Sequence, residues 1–241
     1  WAHRNQYRYS GEPYFEHCLN VASILSKFRM DSITISAGLL HDVVEDTGFT
    51  LEDIKESFGK DIANLVNGVT KISEISGRKS LSLELRQAET FRKMLLSMAK
   101  DIRVIIIKFA DRLHNMRTLQ HVAAKKRMRI ALETRDVYAP LAHRFGMAQL
   151  KSELEDLSFK FVDNKSYNEL SRRLNERKEE REGYIGKIIH PIEDELKQHN
   201  IAAEVRGRPK HLFSIYRKMR TRNKPLEEIY DLFAIRIMVQ E

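Results

Sequence analysis

The chain has 241 residues, of which 42% are hydrophobic and 32% are charged, which is enough apolar sequence for one sizeable core or for one domain and a smaller second one. No apolar run approaches the roughly 20 residues that a membrane span needs, no signal-peptide pattern opens the chain, and the single cysteine excludes an intramolecular disulfide. These features predict a globular protein of the cytoplasm, and the net charge of +8 favours anionic ligands, whether nucleotides, nucleic acid or acidic partners.

Residues 1–12 are polar and aromatic and predict a loop, which ends in a turn over residues 10–13. Apolar residues at helical spacing then predict a helix over residues 14–28. His17 falls early in that helix, where a lone histidine is more often a structural hydrogen-bonding residue than a ligand. The spacing alone therefore gives His17 a structural role.

The next helix is predicted over residues 34–45, and its apolar start indicates that it is mostly buried. On a continuous helix, His41 shares one face with Glu45, which lies four residues further on. Asp42 and Asp46 share a face for the same reason. A buried imidazole beside a carboxylate can hold a divalent cation, and acidic side chains one turn later can handle the water that such a cation activates. The alternative is that Asp42 is a solvated helix residue and Asp46 begins a polar C-terminal cap.

A further helix is predicted in the stretch that begins with the apolar run 104–107, although that run alone would also fit a strand. Asp111, Asn115 and Thr118 are spaced four and then three residues apart, so they line one face of this helix. A carboxylate, an amide and a hydroxyl on a buried helix predict the wall of a polar pocket, and the alternative is an ordinary polar stripe that faces solvent. His114 is expected on a different face, in a structural role.

The composition changes after residue 163, and a long helix is predicted over residues 167–198, kinked or divided at Pro191. Its many charged residues indicate a linker between domains. The pattern that follows predicts a strand, a basic turn, a helix and a second strand, over residues 201–205, 206–210, 211–220 and 230–239. These elements would begin an α+β unit that binds an anion. Because the chain starts at Trp1 rather than Met and ends within an apolar stretch, we expect it to be part of a longer protein.

Five blocks of this sequence, in order, resemble motifs of the RelA/SpoT homologue family, the bifunctional enzymes that make and destroy the alarmone (p)ppGpp. The blocks cover residues 8–17, 41–46, 108–118, 138–146 and 207–218. The likeness extends over nearly the whole chain. Five ordered blocks are far more specific than a His-Asp doublet alone.

The resemblance implies a mainly α chain in three parts. These are an all-helical HD-type hydrolase domain over residues 1–160, a helical linker over 161–199, and the truncated start of an α+β nucleotidyltransferase-like synthetase domain over 200–241. The implied activity is metal-dependent hydrolysis of (p)ppGpp to GDP or GTP and pyrophosphate. A longer parent enzyme would also synthesise (p)ppGpp as a GTP pyrophosphokinase in the stringent response, and further domains could contact the ribosome and tRNA.

The resemblance also implies roles for individual residues, and for His17 the implied role replaces the structural one. One manganese ion would be held by His17, His41, Asp42 and Asp111. The attacking water would be positioned or deprotonated by Glu45 and Asp46. The nucleotide would be bound by Arg8, Ser10, Asn115 and Thr118, with the planar guanidinium of Arg8 stacked on the guanine. The family commonly has a lysine after this arginine, and this chain has Tyr9 there.

For the last part of the chain, the resemblance implies an ATP site. The ATP phosphates would be received by Arg208, Lys210, Ser214 and Lys218, and magnesium would be held by Asp231. The family's guanine-stacking tyrosine and catalytic glutamate lie further along than residue 241. This chain is therefore not expected to synthesise (p)ppGpp.

Two other functions stay open on sequence grounds. A different HD-type nucleotide phosphohydrolase would keep the four metal ligands but has no use for the basic residues 208–210. A non-catalytic regulatory or ribosome-binding module would have a decayed hydrolase site. The intact ligand set and the intact pair of Glu45 and Asp46 argue against that module.

Overall fold

The computed structural model describes residues 1–76, 100–176 and 178–239, together with residues 85, 88, 89, 91, 92, 94 and 96. The chain divides into two compact units, Trp1–Ser158 and Phe159–Glu241. Helices build the first unit, and the second adds one small sheet to its helices, so the predicted mainly α class is confirmed. None of the described helices is both long enough and apolar enough to cross a membrane. The predicted division into three parts, with a linker over 161–199, stays a prediction.

The described helices of the first unit follow one another closely, and the last of them runs through the boundary at residue 158. They are α1 Tyr14–Lys27, α2 Ser32–Leu40, α3 Val43–Asp46, α4 Leu51–Phe58, α5 Lys60–Ser76, α6 Arg103–Arg117, α7 Ala124–Glu133, α8 Ala139–Arg144 and α9 Ala148–Val162. A short 3₁₀ turn, Leu119–His121, follows α6, and a π-helical turn, Thr134–Tyr138, joins α7 to α8.

Helix α6 runs through the core of the first unit and packs against α1, α2 and α5. Its apolar residues are buried, which settles the open choice between helix and strand for the run 104–107 in favour of helix. Lys108, Asp111 and His114 are buried with them. Because a polar group taken out of water is costly unless it is paired, α6 forces these three side chains to find partners inside the unit.

The helix predicted over residues 34–45 is interrupted, so the prediction of one continuous helix is wrong. Helix α2 ends at Leu40 and α3 begins at Val43, which leaves His41 and Asp42 in a turn between them. The physical reason lies in the His41 side chain, which bonds to a backbone carbonyl at the end of α2, where α2 packs closely against α1. A Cβ on Gly38 would lie 2.3 Å from Cδ1 of Leu25, so only glycine permits this approach. His41 then turns back, and its Nδ1 lies 2.8 Å from the carbonyl oxygen of Gly38.

The second unit contains two long helices and a helix between two strands. Its elements are α10 Asn164–Glu176, α11 Lys178–Gln198, β1 Ala203–Pro209, α12 Leu212–Arg222 and β2 Phe233–Val239. The strands pair antiparallel, with Ala203 opposite Val239 and Pro209 opposite Phe233. A small apolar core of this unit is formed by Phe159, Leu170, Leu174, Ile215, Leu226 and Ile229.

One boundary predicted in this unit is wrong, and one open alternative is decided. The basic turn predicted over residues 206–210 belongs almost entirely to β1, because residues through Pro209 pair with β2. Gly207 serves packing rather than a turn, since a Cβ there would lie 2.4 Å from Cγ2 of Ile185 on α11. The helix predicted over 167–198 corresponds to α10 and α11, and α11 continues through Pro191, so the chain is not divided at that proline.

Candidate metal centre

Four buried side chains from three parts of the first unit converge on one point. His17 comes from α1, His41 and Asp42 come from the turn between α2 and α3, and Asp111 comes from α6. The possible ligand atoms of His17, His41 and Asp42 all lie within 4.8 Å of one another. Oδ1 of Asp111 lies 3.4 Å from Nε2 of His17 and 3.8 Å from Nε2 of His41. The structure thus brings together all four residues that the sequence nominated as metal ligands.

The orientation of the imidazole rings suits a cation. Nε2 of His17 and Nε2 of His41 face each other at 3.3 Å, and Oδ2 of Asp42 lies 2.9 Å from the latter nitrogen. Nδ1 of His41 faces the carbonyl oxygen of Gly38, which can only accept, so Nδ1 carries a proton and Nε2 is the nitrogen that would bind a metal. A carbonyl on the far nitrogen is a common way to orient a metal-binding histidine.

The electrostatics of the cluster also favour a positive charge between the carboxylates. Burial alone would lower the pKa of His41, but the neighbouring carboxylates of Asp42 and Asp111 outweigh it and raise that pKa to about 10. Burial raises the pKa of Asp42, yet the contacts with His41 and His17 hold it well below its ordinary value. Two imidazoles and two charged carboxylates around a shared point fit a divalent metal ion, as expected of an HD domain.

Lys108 neutralises part of this negative charge and was assigned no role from the sequence. Its Nζ donates to Oδ2 of Asp111 at 3.1 Å, and both side chains are buried. Burial raises the pKa of Asp111, but the Lys108 ammonium and the two histidines hold it well below its ordinary value. The pairing of Lys108 with Asp111 could be predicted from the sequence, because residues three positions apart on a helix are neighbours on its surface.

Tyr14 connects the metal ligands to the predicted acid–base pair. Its hydroxyl lies 2.6 Å from Oδ2 of Asp42 and 3.0 Å from Oδ2 of Asp46, so its single proton serves one carboxylate at a time. Burial and the charge of Asp42 raise the pKa of Tyr14, which keeps the hydroxyl protonated. Asp46 and Glu45 lie on exposed positions of α3. No separate role for Tyr14 is predicted from the sequence, although it lies three residues before His17 and therefore on the same side of α1.

The predicted nucleotide-binding residues come together next to the ligand cluster, with one exception. Nη2 of Arg8 donates to Oδ1 of Asn115 at 2.7 Å and to Oγ1 of Thr118 at 3.3 Å. Nδ2 of Asn115 donates in turn to Oδ1 of Asp111 at 2.5 Å, which joins this group to the metal ligands. The exception is Ser10, whose hydroxyl donates to a carboxylate oxygen of the neighbouring Glu12 at 2.9 Å.

A lysine from α7 accompanies the tyrosine that follows Arg8. Nζ of Lys126 lies 5.1 Å from the centre of the Tyr9 ring and 3.5 Å from its hydroxyl oxygen. The position after Arg8 therefore has a cation beside it, although the residue there is aromatic.

The expected orientation of His114 is wrong. The spacing predicts it on a different face of α6 from Asp111, in a structural role, but it is buried and its Nδ1 lies 2.8 Å from Nδ1 of His17. The physical reason is that His114 follows Asp111 by three residues, and residues three apart are neighbours on a helix surface. Burial and the nearby His17 lower the pKa of His114 to about 4, so its ring is neutral around pH 7.

A second charged cluster lies in the other unit. Nζ of Lys210 and Nζ of Lys218 both donate to Oδ2 of Asp231. Nη2 of Arg208 lies 2.7 Å from Nε2 of His211, and Ser214 lies one turn before Lys218 on α12. The structure thus joins three of the five residues predicted for an ATP site, and two lysines there share a single carboxylate.

Both the first part and the last part of the chain match models of known protein families. Residues 1–148 match the family model of the HD domain, and residues 207–241 match the model of a region found in RelA and SpoT proteins. The GTP pyrophosphokinase of Myxococcus xanthus is 50% identical over 236 residues, which are 98% of this chain and 31% of that protein. The bifunctional (p)ppGpp synthase/hydrolase SpoT of Escherichia coli strain K12 is 44% identical over 240 residues, which are 100% of this chain and 34% of that protein. This chain therefore spans about a third of the length of these relatives.

A solved structure extends the similarity to the fold. It is that of a metazoan orthologue of SpoT that hydrolyses ppGpp and plays a role in starvation responses. The two chains are 33% identical with a TM-score of 0.50, and the match covers 66% of this chain and 88% of that one.

Proposed function

The chain belongs to the RelA/SpoT family, and from this premise we propose that its first unit hydrolyses (p)ppGpp to GDP or GTP and pyrophosphate. The observation that carries the proposal is the convergence of four buried ligand side chains beside a second group that suits a guanine nucleotide. The first group is that of His17, His41, Asp42 and Asp111, and the second is that of Arg8, Asn115 and Thr118.

The ion that these ligands would hold is manganese. Two imidazoles and two carboxylates form a donor set between the all-oxygen sites of magnesium and the sulfur-rich sites of softer metals. Such an ion, when bound, lowers the pKa of water and polarises a phosphoryl oxygen. The residues around the site would do the rest of the chemistry.

Asp46 is the proposed proton acceptor for the attacking water, with Glu45 beside it on α3. Its Oδ2 lies 3.0 Å from the Tyr14 hydroxyl, which can donate to that oxygen when it is not donating to Asp42, and Oδ1 is left to accept a proton. Nε2 of Gln6 donates to the backbone carbonyl oxygen of Asp46 at 2.5 Å, so the start of the chain holds the end of α3 in place. A general base has to be positioned before it can act, and these two contacts supply that positioning.

Arg8 is the proposed platform for the guanine. Asn115 and Thr118 together hold one edge of its guanidinium, which fixes the plane of the group. A planar guanidinium stacks on an aromatic ring in a way that the ammonium of lysine cannot. The phosphates would then lie toward the ligand cluster, because Asn115 also contacts Asp111. Ser10, which contacts Glu12, would complete the nucleotide site from the same loop.

A longer parent enzyme would add synthesis of (p)ppGpp from ATP and GDP or GTP. In this proposal the ATP phosphates are received by Arg208, Lys210, Ser214 and Lys218, and magnesium is held by Asp231. The sharing of one carboxylate by two lysines supports this assignment, because a bound magnesium–triphosphate could separate and satisfy all three charges. Location in the cytoplasm and contact of the parent with the ribosome and tRNA stay predictions.

The test uses the purified chain, ppGpp and a measurement of released pyrophosphate. We expect release with manganese, none after chelation, and none from Asp111→Ala. The matched control is Asp61→Ala, which removes an exposed carboxylate of α5 in the same unit and should behave as wild type. A folded, manganese-loaded protein that leaves ppGpp intact would contradict the proposal. If it instead hydrolysed deoxynucleotides or cyclic nucleotides, it would be a different HD-type phosphohydrolase.

A further inference from the structure

His114 makes a contact with a candidate metal ligand that the proposed mechanism does not use. Its Nδ1 lies 2.8 Å from Nδ1 of His17, and the ring centres are 4.9 Å apart at an angle of 48°. Both rings are buried. At 2.8 Å two ring nitrogens need one proton between them, so one imidazole donates and the other accepts.

The other side of the His17 ring decides which imidazole donates. Nε2 of His17 faces the shared point, with Nε2 of His41 at 3.3 Å and Oδ1 of Asp111 at 3.4 Å. A neutral imidazole has one N–H and one lone pair, and Nε2 must keep the lone pair to bind a metal. The N–H of His17 is therefore on Nδ1, and Nδ1 of His114 accepts the hydrogen bond.

We propose that His114 is a positioning residue for the metal centre, where its Nδ1 accepts the hydrogen bond from Nδ1 of His17 and so fixes the tautomer and the ring orientation of His17. The inference rests on the proposed metal site and adds a residue to it. His41 is oriented in the usual way, by a backbone carbonyl, and His17 is oriented by a second imidazole.

The choice of an imidazole has an electrostatic consequence. Metal-bound histidines often donate to a carboxylate, which makes the ligand more basic and adds a negative charge to the site. Asp42 and Asp111 already supply two carboxylates, and Lys108 compensates part of their charge. A neutral acceptor at position 114 orients His17 without adding a third negative charge. We therefore expect His114→Asp to bind manganese more tightly than wild type does.

Side-chain geometry supplies matched variants for the test. The Oδ1 atom of asparagine occupies nearly the place of the Nδ1 atom of histidine and can accept the same hydrogen bond. Glutamine places its amide group one bond further out, where the Nε2 atom of histidine lies. Leucine fills the space and accepts nothing. A role that depends only on packing would tolerate leucine best, and a role as acceptor would tolerate asparagine best.

The experiment measures the dissociation constant for manganese by calorimetric titration of the metal-free full chain, with folding of each variant checked by circular dichroism. We expect His114→Asn to stay within about 3-fold of wild type, and His114→Leu to bind roughly 10–100-fold more weakly, the usual loss for an outer-shell partner. If His114→Leu does not fold, His114→Gln gives the same comparison, because its acceptor is misplaced.

The outcomes separate the inference from the function on which it rests. Wild-type affinity in His114→Leu, or equal losses in His114→Asn and His114→Gln, would overturn the role of His114 and leave the metal site intact. Failure of the wild-type chain to bind manganese would overturn the metal site, and the role of His114 with it. Hydrolysis of ppGpp is measured separately, so a loss of activity without a change in metal affinity also counts against this role.

Discussion

The two compact units each join aspartate and lysine side chains, but in surroundings that differ in burial and in charge. In the first unit Asp111 is 11% exposed, and its single lysine, Lys108, is outnumbered by two carboxylates. In the second unit Asp231 is 45% exposed and is shared by Lys210 and Lys218. A surplus of negative charge in a buried site favours a cation, and a surplus of positive charge near the surface favours an anion. The same two residue types therefore predict opposite ligands in the two units.

The largest effect is expected on stability, from Asp111→Asn in the metal-free chain. The substitution removes the charge of the carboxylate to which the buried ammonium of Lys108 donates, and breaking a buried pair in this way costs about 3 kcal/mol. Asp231→Asn in the second unit should cost less than about 1 kcal/mol, because that pair is partly exposed to water. Urea denaturation of both variants measures the two free energies of unfolding.

Two further variants sharpen the stability prediction. Asp61→Asn, at an exposed position of α5, is the control for removal of a carboxylate from the first unit and should change the free energy of unfolding little. The double variant Lys108→Met with Asp111→Asn should recover part of the loss, because it removes both charges of the buried pair. Equal losses for Asp111→Asn and Asp231→Asn would show that burial does not separate the two clusters.

The next effect is expected at Tyr14, whose hydroxyl joins a metal ligand to the proposed proton acceptor. Tyr14→Phe removes hydrogen bonds to charged carboxylates and should cost about 1.5–3 kcal/mol in the interactions it breaks. We expect the turnover of ppGpp to fall roughly 10-fold or more by this reasoning, since about 1.4 kcal/mol is a factor of ten in rate. Steady-state kinetics measures the change.

The control for Tyr14→Phe is Tyr7→Phe, which removes an exposed hydroxyl from the segment that precedes α1. If both variants turned over ppGpp at the wild-type rate, the contact between Tyr14 and Asp46 would have no part in the reaction. A rise in KM with unchanged turnover would instead place Tyr14 in substrate binding.

A smaller effect, a gain in ligand binding rather than a loss of function, is expected when a carboxylate of the second unit is removed. Asp231→Asn removes the charge that Lys210 and Lys218 share, so in the absence of magnesium it should strengthen the binding of inorganic triphosphate. Charge pairs at this exposure are worth up to about 1 kcal/mol, which corresponds to an increase of roughly 5-fold. A competition titration measures the affinity of wild type and of Asp231→Asn for triphosphate at low and at high salt. The gain in affinity of the variant should shrink at high salt, because salt screens the charges of the lysines. Weaker binding would mean that Asp231 orients the lysines rather than neutralising them.

The polar face of α6 could be predicted from the sequence, because on a regular helix the number of residues between two side chains decides whether they lie on the same face. Asp111 and Asn115 are four residues apart, and they form a hydrogen bond. The same rule, applied to His114, would have placed it beside Asp111. The role given to Arg8 came only from the resemblance, since its contact with Asn115 joins residues 107 apart and no local pattern indicates it.

The errors in the sequence analysis share a physical cause, which is packing between elements. The break at His41 and Asp42 depends on how closely α2 approaches Leu25, and the sequence shows only that Gly38 would allow it. Similarly, the glycine and proline of residues 206–210 resemble a turn, but pairing with β2 and the approach of Gly207 to α11 make them a strand. Local propensity is a weak guide where a neighbouring element decides the backbone.

The smallest effect tests whether burial, rather than membership of the first unit, makes Asp111 so important. Asp31 is a carboxylate of the same unit but is exposed at the start of α2, where it accepts hydrogen bonds from the backbone N–H and the hydroxyl of Thr34. These bonds lower the pKa of Asp31 below its ordinary value of 3.8. Its contribution to stability is therefore complete above that value and is lost as the pH falls through the lowered pKa.

The comparison of wild type with Asp31→Ala isolates this contribution. At pH 7 the loss of the N-cap should cost about 1 kcal/mol, and Asp31→Asn, which still caps the helix, should cost only a few tenths of that amount. The difference between wild type and Asp31→Ala should stay constant down to the ordinary pKa of aspartate and narrow below it, as urea denaturation at a series of pH values would show. A gap that widened in acid would contradict the assignment, because protonation can only weaken a carboxylate that accepts these bonds.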